Sequence, residues 1–236
     1  MKVKFTSILL AVLALSSCAF FKNQVDKAGQ KEKPFTVDYK SPSVKVGESQ
    51  AQFDNSIPFM PIRSSDITVS YFPVDDAVCL EYRIDQTTFQ MFWNKDAREA
   101  YKIALNKYNE DFEKRNLRSN RSGTTKKAYG SVEGYITWKG FSYGAVSDGS
   151  MTMELGYYFR NNSPFFTVTQ GEASSINYMN SDLEENISGE RPVFFTRSQA
   201  EEIAALFDDE LLNSHVQELQ PGPEKRPAPP AEFDNY

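Results

Sequence analysis

Histidine and cysteine are nearly missing from this chain, with one of the first and two of the second among 236 residues. A zinc centre normally recruits several His or Cys ligands, and Ser-His-Asp or Cys-His machinery needs an imidazole held beside a nucleophile. The single histidine, His215, falls near the end of an expected helix, just before a proline-rich tail. There it complements the negative end of the helix or faces water. A Walker loop, a His-Glu-x-x-His pair, an EF-hand loop and a dinucleotide glycine fingerprint are all missing, so no metal and no cofactor is expected. Basic charge is short as well: 26 Lys and Arg face 32 Asp and Glu, for a net charge of −6. That balance argues against nucleic acid as a partner, because duplex binding draws on cations that neutralise phosphates. Long hydrophobic runs are the last absence. The apolar stretch over residues 5–14 is about half of the ~20 residues a helix needs to cross a bilayer, which argues against a spanning anchor.

What the chain does have at its start is a secretion signal. Lys2 and Lys4 flank the entry to the apolar run, which closes on Leu15-Ser16-Ser17-Cys18. A basic start, a short apolar stretch and a small-residue exit make residues 1–17 a bacterial signal peptide. Its ending resembles the lipobox of bacterial lipoproteins: aliphatic, small, small, cysteine. The resemblance implies that the Cys18 thiol receives a diacylglycerol, that the chain is cut just before it, and that acylation follows at the new N-terminus. An ordinary signal peptide cut near Ser17 is the alternative. On the lipobox reading the protein is held to a membrane of the cell envelope by its N-terminal lipid, on the periplasmic or the surface face. Cys79 then has no partner within the chain, and no intramolecular disulfide is expected.

Residues 18–56 are expected to be the lipidated N-terminus and a flexible tether, because 22–34 is polar, charged and without an apolar period. A segment of that size spans on the order of 30–40 Å. Short apolar patches at 35–37 and 44–46 are expected to pack on the domain only as edge strands. A single domain over 57–216 follows, then a Pro-rich disordered tail over 217–236. With 40% hydrophobic residues, among them 18 Phe, the chain can bury a core of ordinary size.

Within the domain, period-two alternation predicts strands at 67–72, 78–84, 87–93, 129–138, 151–159, 165–169 and 192–195. Cys79 is expected as a small buried or half-buried side chain, on the face opposite Val78, Leu80 and Tyr82. Asn94 caps a helix over 95–117 whose apolar face is Ala97, Tyr101, Ala104, Leu105, Tyr108 and Phe112, with Arg98 and Glu99 on the charged face. A capping box at Thr196 to Gln199 opens a second helix over 197–214. Residues 171–190 are polar and expected to be a loop. The fold class is therefore α+β: an antiparallel sheet of about six or seven strands packed against two amphipathic helices.

Three constellations carry the functional expectations. Lys114, Arg115, Arg118, Arg121, Lys126 and Lys127 form a basic loop in an acidic protein, an anion site or simply a solvated loop after a helix C-terminus. Tyr129 and Tyr135 share the polar face of their strand, an aromatic platform for sugars or a partner, or else packing residues. Carboxylate pairs such as Glu133 with Glu154, or Asp75 with Asp76, are the raw material of glycan hydrolysis. The leading expectation is a non-enzymatic envelope module that binds a protein or polymer, with no catalytic residues assigned. The alternative is an envelope hydrolase using paired carboxylates, or a serine and lysine, on cell-wall or glycan substrates. The stretch Pro-Val-Phe-Phe-Thr-Arg-Ser-Gln-Ala at 192–200 resembles spirochaetal lipoproteins of uncharacterised function, a likeness that implies no activity.

Overall fold

In the segment 77–84, Val78, Leu80 and Tyr82 enter one apolar cluster while Ala77 and Cys79 enter another. Successive side chains of a strand point to opposite faces, so this one strand separates two layers of core. The computed structural model describes residues 34–54, 62–118, 124–140, 146–160, 162–176 and 185–219, and the elements below all belong to the unit Phe35–Tyr236. In chain order they are β1 (Val44–Phe53), β2 (Arg63–Phe72), β3 (Ala77–Ile84), β4 (Thr87–Trp93), α1 (Lys95–Glu113), β5 (Thr124–Lys139), β6 (Ser147–Arg160), β7 (Ser163–Gln170), β8 (Ala173–Ile176), β9 (Glu185–Ser188), β10 (Arg191–Phe195), α2 (Arg197–Leu206) and α3 (Asp209–Leu219).

The architecture is α+β with antiparallel pairing, but the sheet has eight strands, more than the expected six or seven, and closes into a barrel. The strand order is β1-β10-β7-β6-β5-β4-β3-β2, and β8 with β9 form a separate two-stranded sheet. Closure removes the edges that an open sheet leaves unpaired. The seam is narrow: β1 meets β10 only through Gln52 with Phe194 and Phe53 with Val193. On its other side β1 pairs β2 over nearly its whole length.

Inward residues of the wall, including Val69, Leu80, Met91, Ile136, Met153, Val168 and Phe195, share one core with Tyr101, Leu105 and Tyr108 of α1 and with Ile203, Phe207 and Leu212 from the C-terminal helices. The barrel interior is thus filled by its own wall and by the helices. Outside, Phe72, Ala77, Cys79, Phe92 and Tyr135 form a second patch covered by Phe35, Val37 and Tyr39. This strap is held by few polar bonds: the Asp38 amide donates to Asp75 at 3.3 Å and Ser150 Oγ donates to the Phe35 carbonyl at 3.3 Å. Burial pushes the Cys79 thiol well up, which keeps it protonated and unreactive.

Three departures from expectation have local causes. The folded domain begins well before Ile57, because β1 is a full barrel strand and not part of a tether. Its inward positions after the register shift between Lys45 and Gly47 are Ser49, Ala51 and Phe53, so it lacks a strong apolar alternation. Ser49 is tolerated inside because its hydroxyl donates to Glu202 of α2 at 3.0 Å, and a Cβ on Gly47 would lie 2.6 Å from Leu206. The second helix is two helices, broken at Phe207 and Asp208. The Asp208 carboxylate accepts from the amides of Glu210 and Leu211 at 3.0 and 3.1 Å, which caps α3 as a new start. Residues 171–190, expected as a loop, contain β8 and β9.

Both expected helix caps are present. Asn94 Oδ1 accepts from the Ala97 amide at 2.8 Å to start α1. Both bonds of the Thr196–Gln199 capping box are present. Helix α1 stops at Glu113 and not at 117, with Arg115 in the left-handed region at φ 55.

Candidate functional site

The basic loop is only partly in view. Lys114 pairs with Glu110 of its own helix at 3.1 Å, and Arg115 and Arg118 are exposed just beyond α1. Arg121, and the side chains of Lys126 and Lys127, lie outside the described residues, as do Leu15, Ser16, Ser17, Cys18 and the tail.

Tyr129 and Tyr135 do not form an exposed platform. Gly130 takes φ 148 and the β5–β6 register shifts between Thr125 and Gly130. This bulge reverses the side-chain phase, so the two tyrosines end on opposite sides of the wall. Tyr129 packs inward beside Tyr157 and donates to Asp111 of α1 at 3.1 Å. Tyr135 is buried outward under the N-terminal strap and donates to Asp148. Burial, then the neighbouring carboxylate, raises both phenols far above their usual range.

The predicted carboxylate pairs line none of the clefts described, whereas Glu48, Asp66 and Glu202 share one between β1, β2 and α2. Glu133 and Glu154 sit on diagonal positions of β5 and β6, on the outer side of the wall. Asp75 receives the strap amide of Asp38. Asp76 belongs to an ion-pair cluster that composition hides. Arg98 is 1% exposed and not on a solvated face; it lies three residues before Tyr101 on the buried stripe of α1. Its guanidinium donates to Asp76 Oδ1 at 2.9 Å, to Asp209 Oδ1 at 3.0 Å and to the Asp76 carbonyl at 2.8 Å. Lys95 completes the cluster on Asp209 at 2.8 Å, and Tyr71 donates to Asp76 at 3.1 Å. The result ties the β2–β3 turn, the start of α1 and the start of α3 to one cation.

Acid stability follows from this cluster. Donation from Lys95, then from Arg98, holds the Asp209 carboxyl below its ordinary value despite partial burial. A depressed folded value gives stability that is present above the unfolded pKa of about 4 and lost as pH falls through the folded one. Asp209→Asn is therefore expected to lower the melting temperature at neutral pH and to flatten its decline below about pH 4. Thermal melts of both proteins across that range check it; parallel acid limbs would remove Asp209 from the account.

The arrangement with the most recognition chemistry lies at one end of the barrel. Phe53 stacks on Tyr82 at 4.9 Å and Tyr82 on Phe89 at 5.6 Å. The guanidinium of Arg191 lies 5.1 Å over the Phe89 ring. Tyr82 donates to Gln170 Oε1 at 2.9 Å, and Gln170 Nε2 donates to Ser188 Oγ at 2.7 Å. Gln170 is wholly buried, so this polar chain is built into the core and not laid on the surface. Trp138 is the cross-strand partner of Phe89. A cavity of about 90 Å³ opens beside Phe53 and Ile84, rimmed by Arg63, Arg83 and Asp85. Arg191 and Gln170 were each one residue outside the expected strands. Read in phase with Val193 and Phe195, or with Phe166 and Val168, each is a polar residue on an apolar face, and that was the available signal.

Among the described residues no helix is long and apolar enough to cross a membrane, and no group of three or more His, Cys, Asp or Glu is placed to hold a metal. His215 lies on α3, which continues past it to Leu219. No curated protein and no solved structure matches the chain. A family model does match, over residues 39–214, and it is described as an uncharacterised Treponema protein. That span covers β1 through most of α3 and includes the 192–200 stretch that carries the spirochaetal resemblance. The chain belongs to this family of an uncharacterised Treponema protein.

Proposed function

We propose that this chain is a lipid-anchored protein of the bacterial cell envelope whose barrel is a binding module, engaging its partner at the barrel end that carries Arg191. The anchor half of the reading rests on Leu15-Ser16-Ser17-Cys18 behind a short apolar run. The binding half rests on one observation: a half-buried guanidinium stacked on Phe89 beside a buried polar chain of Tyr82, Gln170 and Ser188. The rival hydrolase has less behind it, because Glu133 and Glu154 face outward on a convex wall and Asp76 is engaged by Arg98.

The anchor is tested on the precursor produced in a bacterial host. Wild-type chain is expected to incorporate a palmitate analogue and to partition into detergent phase, and Cys18→Ala to lose both. A Cys18→Ala chain that remains labelled and membrane-bound would overturn the anchor. Protease added to intact and to permeabilised cells then assigns the face: cleavage only after permeabilisation makes the domain periplasmic.

A further inference from the structure

Residues 35–39 cover an apolar patch on the outside of the wall without joining the barrel's hydrogen-bond ladder. Their side chains alternate: Phe35, Val37 and Tyr39 meet the patch, while Thr36, Asp38 and Lys40 are exposed. That is how an extended segment presents one face. Yet among the described residues no backbone–backbone hydrogen bond joins residues 35–39 to the barrel. The polar bonds across the contact are the two of 3.3 Å already described, one to Asp75 and one from Ser150. Only Val37 is fully buried, and Phe35 and Tyr39 are half-buried. Burial of one whole side chain and two partial ones is of the same size as the entropy lost in ordering the segment, so the strap sits near balance.

The strap can also leave without disturbing the barrel. It precedes β1 and is joined to it through a local turn. In that turn Asp38 accepts from the Lys40 amide at 3.1 Å through its carboxylate, and from the Ser41 amide at 2.9 Å through its carbonyl. What lies beneath is preformed. Phe72 meets Phe92 edge-on at 5.3 Å, Phe92 meets Tyr135 at 6.1 Å, and Cys79 belongs to the same cluster. These residues stand on β2, β3, β4 and β5, whose pairing holds them in place with or without the strap. A contiguous apolar face of this kind, once bare, is a docking surface.

We infer that the strap is a displaceable cover over this surface, and that its replacement is an extended partner segment with apolar side chains at alternate positions. The occupant's chemistry is read from the strap itself, which shows what the patch accepts: an aromatic ring, a branched aliphatic side chain and a second ring, each two residues apart. The patch lies outside the wall, whereas Phe89 at the Arg191 end belongs to the interior core. Either surface can therefore fail while the other stands.

The test uses residues 18–236 with Cys18→Ser, which leaves Cys79 as the sole thiol, and a peptide of residues 33–43 as the probe. Maleimide labelling of Cys79 under the native strap is expected to proceed by local opening, at a rate insensitive to urea well below the unfolding transition. A rate that climbs with urea in step with global unfolding from the outset would overturn the inference. Phe35→Ser with Val37→Ser is expected to speed labelling by about tenfold or more while the barrel still melts cooperatively. The peptide is expected to bind this double variant at one per chain and to slow its labelling again. Its binding to the unaltered chain is expected to be weaker by about tenfold or more, because the patch is open for only a fraction of the time. No binding to the double variant, or binding that leaves Cys79 labelling unchanged, would sink the docking surface. An unaltered chain that dimerises, and whose dimer the peptide dissolves, would make a second copy the occupant and overturn the foreign partner. Should the double variant fail to fold, Val37→Ala replaces it. It is expected to speed Cys79 labelling several-fold with little change in melting temperature, and an unchanged rate counts against the strap.

Discussion

Replacing Tyr101 by alanine is expected to lower the unfolding free energy by about 3–5 kcal/mol, near the upper end for a single core truncation. The residue is fully buried on α1. Its ring meets Trp93 of β4 edge-on at 5.5 Å, Phe166 of β7 at 5.1 Å and Phe207, between α2 and α3, at 5.2 Å. Those contacts draw on separate parts of the wall and on the junction of the two C-terminal helices, so the void left by alanine has no single neighbour able to collapse into it. The hydroxyl contributes less. It donates to the Ala200 carbonyl at 3.2 Å, and Tyr101→Phe is expected to cost only about 1 kcal/mol. Urea unfolding of the two variants checks the contrast. Equal losses would mean that the hydrogen bond, and not the ring, joins helix to barrel.

The second large effect is an asymmetry at Arg98. Removing both carboxylates, as Asp76→Asn with Asp209→Ala, leaves a guanidinium at 1% exposure without a counter-ion, and about 3–5 kcal/mol is expected to be lost. Asparagine is chosen at position 76 because the residue sits at φ 46, a conformation asparagine tolerates. Removing the cation instead, as Arg98→Met, leaves carboxylates with 52% and 39% of their side-chain surface in water. They rehydrate, and the loss is expected to be smaller, about 2 kcal/mol, mostly from the donors withdrawn from Asp76. The single aspartate variants should each cost less than half of the double, since either carboxylate alone still answers the charge. A cation loss larger than the double carboxylate loss would show that packing of the arginine stem dominates.

Much of the wall was legible because its strands carry the period-two pattern in plain form. Val78, Leu80 and Tyr82, or Phe89, Met91 and Trp93, announce both a strand and its inward face. Closure was not legible. It depends on β1, whose inward Ser49 and Ala51 look like a linker until Glu202 and Leu206 of α2 are placed against them. The tyrosine platform failed because one glycine at φ 148 reverses the phase between Tyr129 and Tyr135; glycines within a strand suggest a bulge or close packing, but not which of the two stands at Gly130. Arg98 was hidden by its own charge, although its spacing from Tyr101 and Leu105 puts it on the buried stripe. In the candidate site, Arg191 and Gln170 were within one residue of being read as inward polar groups. What no sequence pattern gives is that the two meet Phe89 and Tyr82 across the barrel.

The narrow seam also sets an order of events in time. Hairpins can zip β2 to β4 and β5 to β7 as soon as each is made, because their partners are near in sequence. The free side of β1 has no such partner. It must wait until β10, the last strand among the described residues, arrives to make two residue pairs, and closing so long a loop is slow. Through that interval β1, and β7 once it is made, each keep a bare edge open to pairing with another chain. The birth of this protein therefore has a vulnerable period that its finished form conceals, and whatever keeps nascent chains apart in that interval guards those edges.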